Sequence, residues 1–207
     1  ELGYAQSNTF SASVANQQTS ASRLKRVVIN LLPNLDFASG WTTTKGATGD
    51  AAARDTSVRC LSMPSLKLTK TSAAETRHCQ TATVPAAGLY TFSAYVKNTA
   101  ALASGKLFLR IRSGSTVYES RPVTDTTAAF HTDSAADGWD RLYVTANLPA
   151  GSATLELVST APSGSAWFSC PQLETGSIAN HVNLLVNSDF ARSTASGRRY
   201  LPTAWAV

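Results

Sequence analysis

Hydrophobic side chains recur at every second position through most of this chain, a period that suits strands with one buried face and not helices. Leu66 and Leu68 share one face of the run Leu66–Lys70. Tyr90, Phe92, Ala94 and Val96 alternate with Thr91, Ser93, Tyr95 and Lys97. Leu107, Leu109 and Ile111 alternate with Phe108, Arg110 and Arg112, and Leu142, Val144 and Ala146 with Arg141, Tyr143 and Thr145. Thr76–Val84, Thr116–Val123, Ala153–Ser159 and Ala166–Leu173 read the same way. Turn signals separate them: Pro85 with Gly88, Ser113-Gly114-Ser115, and Pro149-Ala150-Gly151. The pattern predicts roughly eight to ten short strands and an all-β sandwich or jelly roll. The best helical candidate is the Ala/Ser tract Ser11–Leu24.

Of 207 residues, 43% are hydrophobic, enough for a core, and only 15% are charged. Thr and Ser fill the polar share. A surface rich in hydroxyls and poor in charge suits solvent or sugar outside the cell. The net charge is +5, but Lys and Arg are scattered. The densest groups, Arg23-Leu24-Lys25-Arg26 and Arg198-Arg199, are short, so the basic stripe that nucleic-acid binding needs is missing. No run approaches the roughly 20 apolar residues of a membrane helix, which argues against membrane insertion. No leader is visible, and the opening Glu1-Leu2-Gly3-Tyr4 reads as the interior of a longer protein.

One internal repeat divides the chain. Asn30–Phe37 and Asn183–Phe190 share the pattern Asn-Leu-Leu-x-Asn-x-Asp-Phe, each is followed by Ala, and a Trp comes later in each, Trp41 and Trp205. The two copies begin a whole domain's length apart, too far for a solenoid unit. Residues 26–179 are therefore expected to form one complete module. Residues 180–207 would be the truncated start of a second copy, disordered or paired with a free strand edge. Residues 1–25 read as a linker or the end of an upstream unit.

The ordered motifs carry a family resemblance. Asn30-Leu31-Leu32-Pro33-Asn34 to Phe37 with Gly40-Trp41, then Gly88–Lys97, then Gly138–Val144 with Leu148-Pro149-Ala150-Gly151, and finally Trp167–Glu174, resemble in order the strands of carbohydrate-binding modules with a galactose-binding-like jelly roll. The closing Gln172-Leu173-Glu174-Thr175-Gly176, followed by a new opening motif, is similar to modules found in tandem in bacterial YD-repeat (Rhs-like) cell-surface proteins. The resemblance implies a non-catalytic glycan- or polysaccharide-binding module, extracellular or on the bacterial surface, flanked by adjacent modules of the same chain. It also implies a structural calcium, but two of the usual carboxylate positions hold Ala38 and Ser169. Asp36 and Glu174 remain as candidate ligands, with backbone carbonyls.

The residues themselves suggest binding, not catalysis. His78, His131 and His181 lie in no nucleophile or zinc-protease motif. Asp125, Asp133, Asp137 and Asp140 cluster in what reads as a loop. Sugars are held by aromatic faces and by planar groups that bond paired hydroxyls. The strand faces opposite the expected core carry Tyr95, Phe108, Arg110, Arg141 and Tyr143, with Arg112 beside them. If those strands are neighbours in one sheet, they form an aromatic, Arg-rich binding surface. Equally, the same side chains could be ordinary outer-face residues of a spacer or protein-interaction module. Trp41, Trp139 and Trp167 are read as packing residues. Cys60, Cys79 and Cys170 have no metal-site spacing and read as small buried hydrophobes, with a Cys60–Cys79 disulfide open if the module is secreted.

Overall fold

The computed structural model describes residues 30–98, 105–123 and 138–179, together with the backbone of a hairpin at Ser193–Ser196 and Arg199–Pro202. The described residues belong to two units: Asn30–Val182 carries a β-sandwich, and the hairpin falls in the other. Ten strands build the sandwich: β1 (Thr42–Thr44), β2 (Ala51–Cys60), β3 (Met63–Lys70), β4 (Thr76–Val84), β5 (Gly88–Asn98), β6 (Leu107–Ser113), β7 (Thr116–Glu119), β8 (Asp140–Leu148), β9 (Gly151–Ser159) and β10 (Gly164–Thr175). The first sheet has the order β1-β4-β9-β6-β7 and the second β2-β3-β10-β5-β8. Every pairing is antiparallel, and no described residue is helical. The architecture is that of a jelly roll, as the alternation requires. β11 (Ser193–Ser196) and β12 (Arg199–Pro202) pair with each other. The Ser11–Leu24 tract lies outside the described residues.

The alternating faces meet in one core. Leu107, Leu109 and Ile111 of β6 and Leu155 and Leu157 of β9 oppose Phe92 and Val96 of β5, Leu142 and Val144 of β8, and Phe168 of β10, all buried. Each such side chain contributes roughly 1.5–3 kcal/mol by leaving water. Leu32, Phe37 and the partly buried Trp41 of the opening motif close one part of this core.

Two local features redirect side chains. In β10 the pairing with β5 slips between Ser169 and Gln172, and Cys170 adopts a φ of 49°. One extra residue at this bulge reverses the alternation. Ala166 and Phe168 point inward before it, and Leu173 does so after it, leaving Gln172 and Glu174 on the outer face. Between β2 and β3, Leu61 and Ser62 hold φ values of 48° and 67°, the left-handed pair of a tight hairpin turn. That turn helps build a second, smaller cluster of Cys60, Tyr95, Trp139 and Cys170, with Val58, Leu61, Met63 and Trp167 against it.

Where the sheets come together at their margin, Lys70 ends β3 and Thr76 begins β4. The Lys70 ammonium is bonded to the Asp50 carboxylate, to the Ala74 carbonyl at 2.7 Å and to the Thr76 hydroxyl at 2.7 Å. Asp50 also accepts the Thr71 N–H at 2.8 Å and a bond from the Thr76 hydroxyl. The side chains of Lys70 and Asp50 are 1% and 0% exposed, so the ion pair is cut off from water and fully hydrogen-bonded.

Candidate functional site on the outer face of the first sheet

Register places three rows of side chains across the outer face of the first sheet. Cys79, Glu156, Arg110 and Glu119 stand opposite one another on β4, β9, β6 and β7. Arg77, Val158 and Phe108 form the row on one side, and Thr81, Thr154, Arg112 and Val117 the row on the other. Arg110 lies at the centre. Both terminal nitrogens of its guanidinium donate to Glu75, each at 2.8 Å, its Nε donates to Glu119 at 2.8 Å, and Nη1 donates to Glu156 at 3.0 Å. Arg112 Nε donates to the other Glu156 oxygen at 2.7 Å, and Arg77 donates to Glu75 at 3.3 Å. The Arg110 guanidinium also lies over the Phe108 ring, 5.1 Å from its centroid.

This alternation of guanidinium and carboxylate fixes charge states and rotamers together. The hydrogen bonds from Arg110 hold the Glu75 carboxyl below its usual range against the opposing effect of burial. The bonds that Arg110 donates to Glu75, followed by those to Glu119 and Glu156, raise its pKa in spite of its burial. Burial, reinforced by the Glu156 charge, pushes the Cys79 thiol up to about 11, so it stays protonated at neutral pH. The centre is buried while the margins remain wet: the Glu119 side chain is 48% exposed and that of Arg112 37%. Beside them lies an open hollow of about 370 Å³, lined by Lys106, Phe108, Arg110, Glu119, Ser120, Pro122 and Thr160. That volume is within the range of small-molecule sites.

The residues expected from the sequence to act together are divided between the two sheets. Phe108 and Arg110 line the hollow. Tyr95, Arg141 and Tyr143 lie on the outer face of the second sheet, because β5 and β8 belong there and β6 does not. A single surface containing Tyr95, Arg110 and Tyr143 is therefore ruled out. Tyr95 is 1% exposed beneath Trp139 and the β2–β3 turn, with the Arg141 guanidinium 5.3 Å from its ring centroid. Arg141 donates to Ser93 at 3.1 Å. Tyr143 is 58% exposed. Trp139 is buried, Trp41 donates to the Asn34 carbonyl at 2.8 Å, and Trp167 donates to Asp55 at 2.9 Å, all packing roles. Glu75, Glu119, Glu156 and Lys106 were not singled out from the sequence. The outward alternation of Glu156 was visible there; its neighbours were not, because strand order is a tertiary property.

Asp36 and Glu174, the candidate calcium ligands, are each bonded to other protein groups. Asp36 pairs with Arg54 at 3.2 Å and accepts the Ala38 N–H at 3.1 Å, so a protein cation already sits on its carboxylate. Glu174 is buried and accepts Gln172 Nε2 at 2.9 Å. Among the described residues no group of three or more His, Cys, Asp or Glu side chains is placed to hold a metal. A Cys60–Cys79 disulfide is excluded, since Cys79 stands on the outer face of the first sheet and Cys60 packs against the second. Of the acidic loop cluster, Asp125, Asp133 and Asp137 lie outside the described residues. Among the described residues no helix is long and apolar enough to cross a membrane.

No protein-family model and no curated protein matches the chain by sequence. Solved structures match it in fold. A family 61 carbohydrate-binding module in complex with β-1,4-galactotriose superposes with a TM-score of 0.54 at 13% identity, over 72% of this chain and 99% of that one. The enzymatically active domain of tailspike protein 4 from bacteriophage CBA120 gives a TM-score of 0.54 at 13% identity, over 72% of this chain and 22% of its own. The N-terminal tandem of family 22 carbohydrate-binding modules from Paenibacillus barcinonensis Xyn10C gives 0.51 at 18% identity, over 74% of this chain and 48% of that one. The chain thus has the jelly-roll sandwich fold found in carbohydrate-binding modules.

Proposed function

We propose that residues 30–179 form a non-catalytic glycan-binding module, and that the sugar is held on the outer face of the first sheet, at the hollow between Lys106, Phe108, Glu119 and Thr160. The observation that carries this reading is the Arg110-centred network. A carboxylate or guanidinium whose rotamer is already fixed bonds sugar hydroxyls without a further entropy cost, and bidentate planar groups match paired hydroxyls. Glu119, Arg112 and Lys106 present polar atoms to solvent at the margin, and the Phe108 ring supplies an apolar wall. The fold shared with a module that holds galactotriose is consistent with an oligosaccharide ligand. The repeated opening motif, together with the resemblance to YD-repeat proteins, supports a place for the module in a tandem array of a larger bacterial surface or secreted protein.

A glycan array followed by titration calorimetry with its best ligands tests this reading. Saturable binding that Lys106→Ala and Glu119→Gln weaken supports it. No heat from any oligosaccharide at millimolar concentration overturns it.

A second reading, a spacer or interaction module with no sugar site, draws on the other sheet. Leu89 and Tyr143 are both more than half exposed on the outer face of β5 and β8. Exposed apolar groups on one face suit contact with an adjacent module. A two-module chain whose copies tumble independently would count against it.

A further inference from the structure

Cys60 and Cys170 lie 110 residues apart in sequence, yet they meet in the same cluster on the second sheet. The meeting involves two irregular features of that sheet. The left-handed Leu61–Ser62 turn brings the end of β2 over the outer face, and the β10 bulge at Cys170 turns that residue out to face it. The Cys170 sulfur is 3.5 Å from the Cys60 carbonyl oxygen and 3.6 Å from the Ser169 hydroxyl. Both cysteines are 1% exposed and share the cluster with Tyr95 and Trp139. Both are in the thiol form here, as is Cys79.

We propose that Cys60 and Cys170 are an oxidisable pair that closes to a disulfide by exchange with a small disulfide oxidant such as glutathione disulfide. In the first step the Cys170 thiolate attacks one glutathione sulfur. The S–S bond of the oxidant breaks, a glutathione thiolate leaves, and a mixed disulfide forms on Cys170. Cys60 then gives up its proton and attacks the Cys170 sulfur, expelling the second glutathione thiolate. The two protein thiols lose two electrons to the oxidant, and their two protons end on two molecules of reduced glutathione. Cys170 is assigned the first attack because its sulfur sits at the bulge against the Cys60 carbonyl and Ser169 hydroxyl, and its hydrogen bond with Cys60 holds the thiol below its usual range despite the opposing effect of burial. Because both sulfurs are shielded, exchange proceeds while the chain folds or when the β2–β3 turn lifts from the sheet. The crosslink then ties the left-handed turn to the bulge. It closes a loop of most of the module, where constraint of the unfolded chain is greatest. Cys79, on the opposite face of the sandwich with a raised pKa, takes no part.

Incubating the folded, full-length chain with a glutathione redox buffer of extracellular poise tests this directly. Remaining thiols are then alkylated under denaturing, non-reducing conditions, and the peptides are mapped by mass spectrometry. The expected result is a linked peptide pair containing Cys60 and Cys170, lighter than the sum of the reduced peptides by two hydrogens, with Cys79 alkylated. The oxidised chain melts several degrees higher than the reduced chain, and Cys60→Ala abolishes that difference while Cys79→Ser keeps it. Full alkylation of both Cys60 and Cys170 after oxidation, or a link that includes Cys79, overturns the proposal. The peptide map is made on the unaltered chain, so it decides the matter even if Cys60→Ala fails to fold.

Discussion

Arg110 and Glu156 face each other across β6 and β9, and the guanidinium closes on the carboxylate at 3.0 Å with both side chains less than a tenth exposed. Arg110 also binds Glu75 and Glu119, while Glu156 also binds Arg112. Removing the hub leaves buried carboxylate charge without its main partner. Arg110→Met is expected to destabilise the module by about 3–5 kcal/mol. Urea unfolding that shows a lower midpoint with an unchanged slope checks this. A midpoint within experimental error of the parent would show that the network contributes nothing to the fold.

The Asp50–Lys70 pair lies between the two sheets and has no water to fall back on. Burial opposes the charge on Asp50, but the bonds from Lys70, Thr76 and Thr71 together outweigh it and hold the carboxyl well below the usual range. A depressed carboxyl contributes stability that is complete above its unfolded pKa, near 4, and is lost as pH falls towards the folded value. Lys70→Met is expected to cost about 3–5 kcal/mol at neutral pH and to move acid unfolding to higher pH. Denaturant midpoints measured from neutral pH to about pH 3 follow both effects. The double variant Asp50→Leu/Lys70→Met should recover much of the loss, because no lone charge remains buried.

His78 gives the opposite case, a base kept neutral. Burial alone drives its pKa down to about 4, while its Nδ1 lies 2.8 Å from the Thr43 hydroxyl and its ring stacks on Trp41 at 5.4 Å. Between about pH 4 and the unfolded value near 6.5, the unfolded chain binds the extra proton and the folded chain does not. Stability therefore rises with pH across that window and is complete above it. His78→Gln should flatten the stability profile between those limits. An unchanged slope in chemical denaturation across the same range would contradict the assignment.

Much of the sandwich was legible because alternation is written locally. The run Tyr90–Val96 announces β5, and Leu107–Ile111 announces β6. β2 carries no such signal because it is an edge strand whose side chains are mostly exposed or half-buried, so Ala51–Cys60 shows no alternating apolar face. The site was harder for a different reason. Tyr95, Phe108, Arg110, Arg141 and Tyr143 all point away from the core as the alternation requires. Which of them are neighbours is decided by the order β4-β9-β6-β7 in one sheet and β10-β5-β8 in the other, which local pattern does not encode. The β10 bulge and the Leu61–Ser62 turn then cover Tyr95, and both depend on non-glycine residues in left-handed conformations that carry no glycine signal.

The placement of the sugar on one face and not the other is tested by comparing side chains on the two sheets. With the best oligosaccharide from an array as ligand, calorimetry on Glu119→Gln should show a loss of about tenfold or more in affinity, the scale of one charge-assisted hydrogen bond. Tyr143→Ala, on the opposite face, should bind as the parent does. Parent affinity in Glu119→Gln with binding abolished in Tyr143→Ala would put the sugar on the second sheet and contradict the assignment.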